Sequence, residues 1–170
     1  TDHYDPSKKV LRLSDAVYDS HSVAAIGVAA HECGHAVQHQ KGYLPLKLRS
    51  LLVPAANLGS KLGLPIVILR LNLGIGFRLP NGDYFSLAML GVWIFSLAVL
   101  FQIVTLPVEF NASRRALSML RDYGMLSSDE IGDCRNVLTA AALTYVAAAA
   151  SSVLQLLRLL MLSNRRRDRD

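Results

Sequence analysis

One uncharged stretch constrains this chain more than any other feature. The residues from Tyr84 to Pro107, YFSLAMLGVWIFSLAVLFQIVTLP, include no Asp, Glu, Lys or Arg. At a rise of ~1.5 Å per residue, a helix of this length crosses a ~30 Å hydrocarbon core. A soluble core helix of that length without a charge is unusual. The stretch therefore predicts a transmembrane helix.

Two further apolar tracts accompany it. Leu51 to Leu69 is interrupted by two prolines and a lysine, which leaves open a kinked span, a re-entrant segment or an interfacial helix. Val137 to Leu157 is uncharged and rich in alanine, so this third apolar helix either spans the bilayer or packs inside the domain. We expect residues 51–69 and 84–107 to form a membrane hairpin within one membrane-embedded domain, residues 1–170.

The charge distribution indicates a lipid surface as partner. Lys and Arg outnumber Asp and Glu by 18 to 13, giving a formal net charge of +5. The excess lies in Lys41 to Arg49, at Arg114 and Arg115, and in the C-terminal RRRDRD. A nucleic-acid surface would combine such charge with aromatic or polar readers, and none is visible. Basic residues beside apolar tracts instead anchor to anionic headgroups.

A predicted helix from Ser22 to about Gln40 contains the motif that is typical of a reactive site, AAHECGHAVQH. Residues at i and i+4 share a helix face, so the imidazoles of His31 and His35 can converge on one zinc ion. Glu32, rotated by ~100°, is placed to act as general base toward a metal-activated water. The alternative is a purely structural role, in which the two histidines are hydrogen-bonded within a core helix. The apolar residues around the motif weigh against it, because buried imidazoles need a strong partner.

A catalytic zinc site needs a third protein ligand and one open position. His39 fails on geometry, because eight residues place its backbone ~12 Å from that of His31. A third histidine at the metzincin spacing would stand at Lys41. His3 and His21 remain candidates for the third ligand, but no spacing argument favours either of them. Glu109 is the favoured candidate for the third ligand, because the sequence predicts that it begins a helical segment directly after the longest apolar tract.

Three flanking elements complete the prediction. The segment KVLRL, Lys9 to Leu13, predicts a short strand beside the cleft. Gly124 predicts the end of the helix after the long apolar tract. Ser127 to Glu130 has the spacing of an N-terminal cap for the next helix.

AAHECGHAVQH, the upstream DHYDP and LRLS, and the later PVEFNASRRAL resemble the YugP-like membrane zinc metallopeptidases, also called neutral zinc metallopeptidases, of the gluzincin type. The resemblance covers nearly the whole chain. It implies zinc on His31, His35 and Glu109, with Glu32 as general base. Many gluzincins have Asp four residues after the ligand glutamate, where this chain has Ser113. Family members usually begin with a further membrane helix, and the resemblance implies that this chain starts after it.

Other side chains are candidates for contact with substrate. Arg114 or Arg115 could stabilise the oxyanion or pair with Asp2 or Asp5 of DHYDP. The alternative, at least as well supported for one of them, is a solvated or lipid-headgroup-facing position. Tyr145 could also donate to an oxyanion, against the commoner role of a packed tyrosine. The two cysteines, Cys33 and Cys134, form no CxxC pair and predict no thiolate zinc site.

The predicted fold is mostly α, a membrane-embedded gluzincin-like metallopeptidase with an HExxH helix, a transmembrane hairpin and a short edge strand. The predicted function is a zinc-dependent membrane endopeptidase acting on peptide or protein substrates, in the plasma membrane of a prokaryote with its active site on the cytoplasmic side. The alternative is a noncatalytic membrane adaptor with a structural or vestigial zinc site. A small ion or solute carrier is disfavoured, because the best span has no charged residue.

Overall fold

The computed structural model describes residues 1–63, 65–66, 68–69, 76–78 and 84–167. Positions 64 and 67 of the predicted tract from Leu51 to Leu69 lie outside the described residues, as do the last three residues of the basic tail. Within the described residues the protein is mostly helical, with small two-stranded sheets. The predicted fold class is confirmed to that extent.

A short β-hairpin begins the chain. β1 (His3–Asp5) pairs antiparallel with β2 (Val10–Arg12). The side chain of Asp5 holds the turn, because its Oδ1 accepts hydrogen bonds from the backbone N–H and hydroxyl of Ser7 at 3.0 and 2.6 Å. The strand predicted over Lys9 to Leu13 is confirmed, one residue shorter at each end.

The HECGH helix has clear start and stop signals. After a single turn, α1 (Asp15–Tyr18), the helix α2 spans Val23–Gln40. The Ser22 hydroxyl caps it by accepting a hydrogen bond from the N–H of Ala25 at 3.2 Å. Gly42 follows with φ of 64°, the left-handed conformation that closes a helix C-terminus. The predicted helix is thus confirmed at both ends.

The helix that follows α2 begins seven residues before the predicted apolar tract from Leu51 to Leu69. α3 spans Leu44–Leu58 and is followed by a π-helical turn, Gly59–Gly63. A second hairpin pairs β3 (Gly76–Arg78) with β4 (Tyr84–Ser86). Pro54 lies inside α3.

One helix, α4 (Leu87–Asp122), contains Glu109 and the long apolar tract except for its first three residues, which form β4 instead of the predicted helix. Glu109 therefore does not begin a helical segment, and that expectation is corrected. Pro107 lacks the N–H of one helical hydrogen bond. Val108 and Ala112, on the following turn, are fully buried, and this packing holds the helix through the proline.

The last helix, α5 (Ser128–Arg167), includes the predicted third apolar tract. α4 ends where predicted, before Gly124, which has φ of 63°. Ser127 and Glu130 form a capping box, in which the Ser127 N–H donates to the Glu130 carboxylate at 2.8 Å and the Glu130 N–H donates to the Ser127 hydroxyl at 3.4 Å. Both predicted signals are confirmed.

The chain divides into two compact units. The first comprises Thr1–Leu48 and Thr105–Val146, and the second Arg49–Val104 and Ala147–Asp170. In the first, α2, α4 and α5 share a core of Ala30, Ala116, Leu120, Ile131, Cys134 and Leu138. In the second, Val92 and Leu159 are buried together. The single domain over residues 1–170 stays a prediction.

Among the described residues, two helical stretches are long and apolar enough to cross a bilayer, Met89–Asp122 and Ser128–Leu162. Only 22% and 17% of the residues in their apolar windows are buried. The large apolar side chains of Trp93, Leu154 and Met161 are each more than 60% exposed: 67, 67 and 63%. The hairpin of residues 51–69 and 84–107 stays a prediction.

Candidate metal centre

Three side chains of types that ligate metals converge from two helices in the first unit. His31 and His35, one turn apart on α2, face Glu109 of α4. Glu109 Oε2 lies 3.1 Å from His31 Nε2 and 3.6 Å from His35 Nε2. Glu109 is therefore close enough to both imidazoles to share one ion with them.

A close helix crossing makes this convergence possible. Gly34 lies between the two histidines, and a Cβ there would come within 2.5 Å of the Ala112 carbonyl oxygen. Ala112 follows Glu109 by three residues, so the contact point and the carboxylate lie on the same part of α4. Because Gly34 has no side chain, the backbone of α2 can approach α4 until the imidazoles reach Glu109.

The spacing of these atoms fits zinc. Two ligand atoms bound at ~2.0–2.1 Å to a tetrahedral zinc ion are about 3.3 Å apart. The two distances from Glu109 Oε2 bracket that value. Two imidazoles and one carboxylate, with a fourth position open, form a donor set of catalytic zinc sites.

The site is also electrostatically suited to a cation. The side chains of His31, His35 and Glu109 are 16, 12 and 3% exposed. Burial opposes protonation of His35, but the hydrogen bond and negative charge of Glu109 outweigh it, so the pKa of His35 is raised above its ordinary value. The buried carboxylate thus stabilises positive charge at the position where the imidazoles converge.

The outer nitrogen of each imidazole has a partner of its own. His31 Nδ1 lies 3.0 Å from the Ser113 hydroxyl, and His35 Nδ1 lies 3.0 Å from Gln38 Oε1. Such partners orient a metal-binding histidine and select its tautomer. Ser113 stands where many gluzincins have Asp, and a hydroxyl occupies that place in this chain.

The hydrogen bonds around Gln38 determine the tautomer of His35. The Arg115 guanidinium donates to Asn111 Oδ1 at 2.8 Å, so that oxygen is an acceptor. Gln38 Nε2 donates to the same Asn111 oxygen at 3.0 Å and to the Val108 carbonyl at 2.8 Å. The remaining amide atom of Gln38, Oε1, can only accept, so His35 must donate from Nδ1. A neutral His35 therefore has its lone pair on Nε2, toward Glu109.

Glu32 contacts the N-terminal hairpin. Its Oε2 accepts a hydrogen bond from the backbone N–H of Tyr4 at 2.9 Å. The hydroxyl of Tyr4 lies 2.9 Å from the Nδ1 atom of His39, which is about two helical turns beyond Glu32 along α2. The backbone contact with Glu32 comes from β1, which lies beside the predicted strand β2 in the sheet.

The remaining sequence candidates have other surroundings. His39 pairs with Tyr4, as described, and His3 Nδ1 lies 2.9 Å from the Thr1 carbonyl oxygen. Arg115 donates to Asn111, whereas Arg114 lines a cavity between α4 and α5. Tyr145 is half-buried on α5. Both cysteines are free thiols.

Comparisons with known proteins agree with this geometry. The family model described as "Putative neutral zinc metallopeptidase" matches residues 1–164. The chain is also 46% identical, over 168 residues, to a Bacillus subtilis (strain 168) protein named "Putative membrane protease YugP". That alignment covers 99% of this chain and 71% of the relative.

The chain belongs to the neutral zinc metallopeptidase family. This confirms the resemblance found in the sequence, and with it zinc as the cofactor that the family implies. Among the described residues, the group that fits the metal is His31, His35 and Glu109. No solved structure matches the chain.

Sequence reasoning about this neutral zinc metallopeptidase missed the residues that surround the metal centre. Gln38, with 0% exposure, and Asn111 were not singled out, and Tyr4 entered only as part of DHYDP. A signal existed for Gln38, because a glutamine three residues after His35 shares its helix face. No local signal marks Tyr4, whose contact spans 28 positions of the chain.

Proposed function

We propose that this family member is a membrane-embedded zinc endopeptidase, with His31, His35 and Glu109 as metal ligands and Glu32 as general base. The observation that carries the proposal is the convergence of two imidazoles and a buried carboxylate beside Glu32, whose Oε2 accepts the Tyr4 N–H. A bound zinc ion supplies a Lewis acid that polarises the scissile carbonyl and makes water a stronger acid.

The hydrogen bond from Tyr4 divides the work of the Glu32 carboxylate between its two oxygens. Oε2 is held by the backbone N–H, which positions the group. Oε1 has no hydrogen-bond partner among the described residues and is available to take a proton. It accepts the proton of the attacking water, whose oxygen bonds to the carbonyl carbon. The same proton then passes to the leaving amine as the C–N bond breaks.

The surroundings of the site support this role. The Gln38 amide holds His35 with its lone pair on Nε2, and Ser113 holds His31 from the other side. The N-terminal hairpin contacts Glu32 through the Tyr4 N–H of β1, and its other strand, β2, is the edge to which an extended substrate would add. Contacts of Arg114, Arg115 or Tyr145 with the oxyanion stay predictions.

Membrane placement is part of the proposal. The apolar windows of α4 and α5 are mostly unburied, and exposing that much apolar surface to water is unfavourable. A bilayer removes the cost, and the relative's name, a membrane protease, is in keeping with it. By the positive-inside rule the basic segment from Lys41 to Arg49 and the Arg114–Arg115 pair lie on the cytoplasmic side.

The decisive experiment replaces the general base. Glu32→Gln keeps the size of the side chain but cannot accept a proton, so we expect hydrolysis to fall by at least ~100-fold at unchanged zinc content. The assay uses detergent-solubilised full-length protein, a quenched-fluorescent peptide library, and metal quantification by mass spectrometry. Glu130→Gln is the matched control, since glutamine also serves in a capping box.

Two outcomes would contradict the proposal. A Glu32→Gln protein that holds zinc and cleaves at the wild-type rate excludes Glu32 as the base. A zinc-loaded wild type that cleaves nothing across the library supports the noncatalytic adaptor instead.

A further inference from the structure

A basic cavity lies between α4 and α5, apart from the metal ligands. It has a volume of about 300 Å³, and its lining includes Arg114 and Arg121 of α4 and Arg135 of α5. Arg114 and Arg121 are seven residues apart, which places them on one helix face. No Asp or Glu is among the described lining residues. Three guanidinium groups thus line one cavity, and no carboxylate is among the described residues that line it with them.

The arginines of this region differ in how they are engaged. Arg115 donates inward to Asn111, and Arg121 lies 3.2 Å from the exposed carboxylate of Asp122. Arg114 and Arg135 make no hydrogen bond or ion pair with the part of the chain that the structure describes. A planar guanidinium group without a protein partner is suited to bind a phosphate through two parallel hydrogen bonds to two of its oxygens.

The position of the cavity indicates where such a phosphate comes from. On α4 it begins at Phe110, three residues after the uncharged tract ends at Pro107. On α5 its residues Arg135 and Thr139 flank the start of the uncharged tract at Val137. Phe110 and Leu117 add apolar surface to the lining. Cationic and apolar groups therefore meet beyond the end of the uncharged tract of α4 and beside the start of that of α5. Lipid phosphates lie just outside the ends of membrane-spanning tracts.

We propose that this cavity binds the phosphodiester headgroup of an anionic phospholipid. The guanidinium groups of Arg114 and Arg135 contact the phosphate oxygens, and Phe110 and Leu117 contact the glycerol and the first acyl carbons. The site is in contact with the metal centre through Ser113, which lines the cavity and partners His31. The proposal rests on the membrane placement given above, but it does not require peptide hydrolysis.

The test measures lipid retention by the zinc-loaded full chain in detergent, using native mass spectrometry. The probes are phosphatidylglycerol, phosphatidylcholine and inorganic phosphate. We expect phosphatidylglycerol to bind at least tenfold more tightly than phosphatidylcholine, whose choline cancels the charge. Equal binding of the two lipids would overturn the proposal. Tight binding of inorganic phosphate, without preference between the lipids, would assign the cavity to a soluble anion instead.

Variants locate the binding. Arg114→Gln combined with Arg135→Gln should weaken phosphatidylglycerol binding at least tenfold, while Arg12→Gln, an exposed arginine of β2, should leave it unchanged. Wild-type affinity in the double variant would overturn the proposal. Zinc content and thermal unfolding check the fold of each variant, and the lipid comparison on the wild type decides the question even if the double variant does not fold.

These outcomes separate the lipid site from the proposed function. Loss of the lipid preference in a protein that still partitions into bilayers contradicts the cavity proposal alone. A chain that does not enter bilayers at all contradicts the membrane placement as well.

Discussion

At the scale of single residues, the metal centre depends on atoms that do not themselves face the metal position. Each histidine needs one nitrogen directed to Glu109 and the other held by a partner, Ser113 for His31 and Gln38 for His35. Gln38 can serve because its own amide is oriented by Val108 and Asn111. Without these partners, the imidazole rings of His31 and His35 would be free to rotate or to adopt the tautomer whose proton is on the nitrogen that faces Glu109.

Replacement of the carboxylate tests the ligand set. Glu109→Gln substitutes a neutral amide, a far poorer ligand, so we expect zinc retention to fall more than the ~10–100-fold typical for losing an outer partner. The measurement is zinc per chain after dialysis against a weak chelator. Asp122→Asn, an exposed carboxylate on the same helix, is the control and should retain zinc. Full occupancy in Glu109→Gln would mean that another residue is the third ligand.

Removal of the Gln38 amide tests the orienting role. Gln38→Leu leaves His35 Nδ1 without its acceptor and removes the amide donor to the Val108 carbonyl, while Asn111 keeps its hydrogen bond from Arg115. We therefore expect the zinc dissociation constant to rise ~10–100-fold. Competition with a chromophoric chelator measures it, and the absorption spectrum of the cobalt-substituted protein reports any change in ligand geometry. Gln40→Leu, at an exposed position of the same helix, is the control. Unchanged affinity in Gln38→Leu would reduce Gln38 to a packing residue.

At the scale of helices, the site is made by the crossing of α2 and α4. Gly34 and Ala112 set how closely the two backbones approach, and Gly27 plays a similar part where a Cβ would come within 2.8 Å of Cys134 Sγ. The neighbouring obstacle at Gly34 is backbone, which cannot move aside as a side chain can. Helix separation there would draw both imidazoles away from Glu109.

A single methyl group at the crossing should therefore be costly. We expect Gly34→Ala to destabilise the fold by ~1–3 kcal/mol, the range for overpacked cores, and to lower zinc content. Gly132→Ala is the matched control, because nothing lies within 4 Å of a Cβ at that helical position. It should stabilise α5 by ~0.5–1 kcal/mol. Thermal unfolding in detergent measures both, and an unfolding midpoint for Gly34→Ala at or above that of the wild type would refute the crossing argument.

At the scale of the whole molecule, two long helices contribute to both compact units. α4 begins in the second unit with the apolar tract and continues into the first with Glu109. The residues of the metal centre all belong to the first unit. The chemistry and the apolar surface are thus carried by different stretches of the same helix.

The apolar stretches give a prediction for the intact protein. We expect the chain to remain in the membrane pellet after an alkaline carbonate wash and to require detergent for extraction, because apolar surface outside the bilayer is unfavourable. A peripheral membrane protein of the same cells is the control and should wash off. Recovery of the chain in the carbonate supernatant would exclude transmembrane placement of α4 and α5.

The sequence by itself determined the features that depend on near neighbours. The i, i+4 spacing places His31 and His35 on one face, and Ser22 and Gly42 bound their helix, because capping and periodicity act within a few residues. The uncharged tracts predicted the long apolar helices for the same reason. Glu109 was singled out for the wrong local reason, a helix start that does not exist, although its resemblance-based assignment points to the residue that the fold brings to the histidines.

Only the tertiary structure decided which distant groups meet. Gln38 reaches Val108 across 70 positions, and His31 reaches Ser113 across 82. Tyr4 meets Glu32 because the hairpin lies against α2. The contacts between α2 and α4 depend on how closely the two helices cross, which is set by the steric fit of Gly34 against Ala112, and no local pattern encodes that fit.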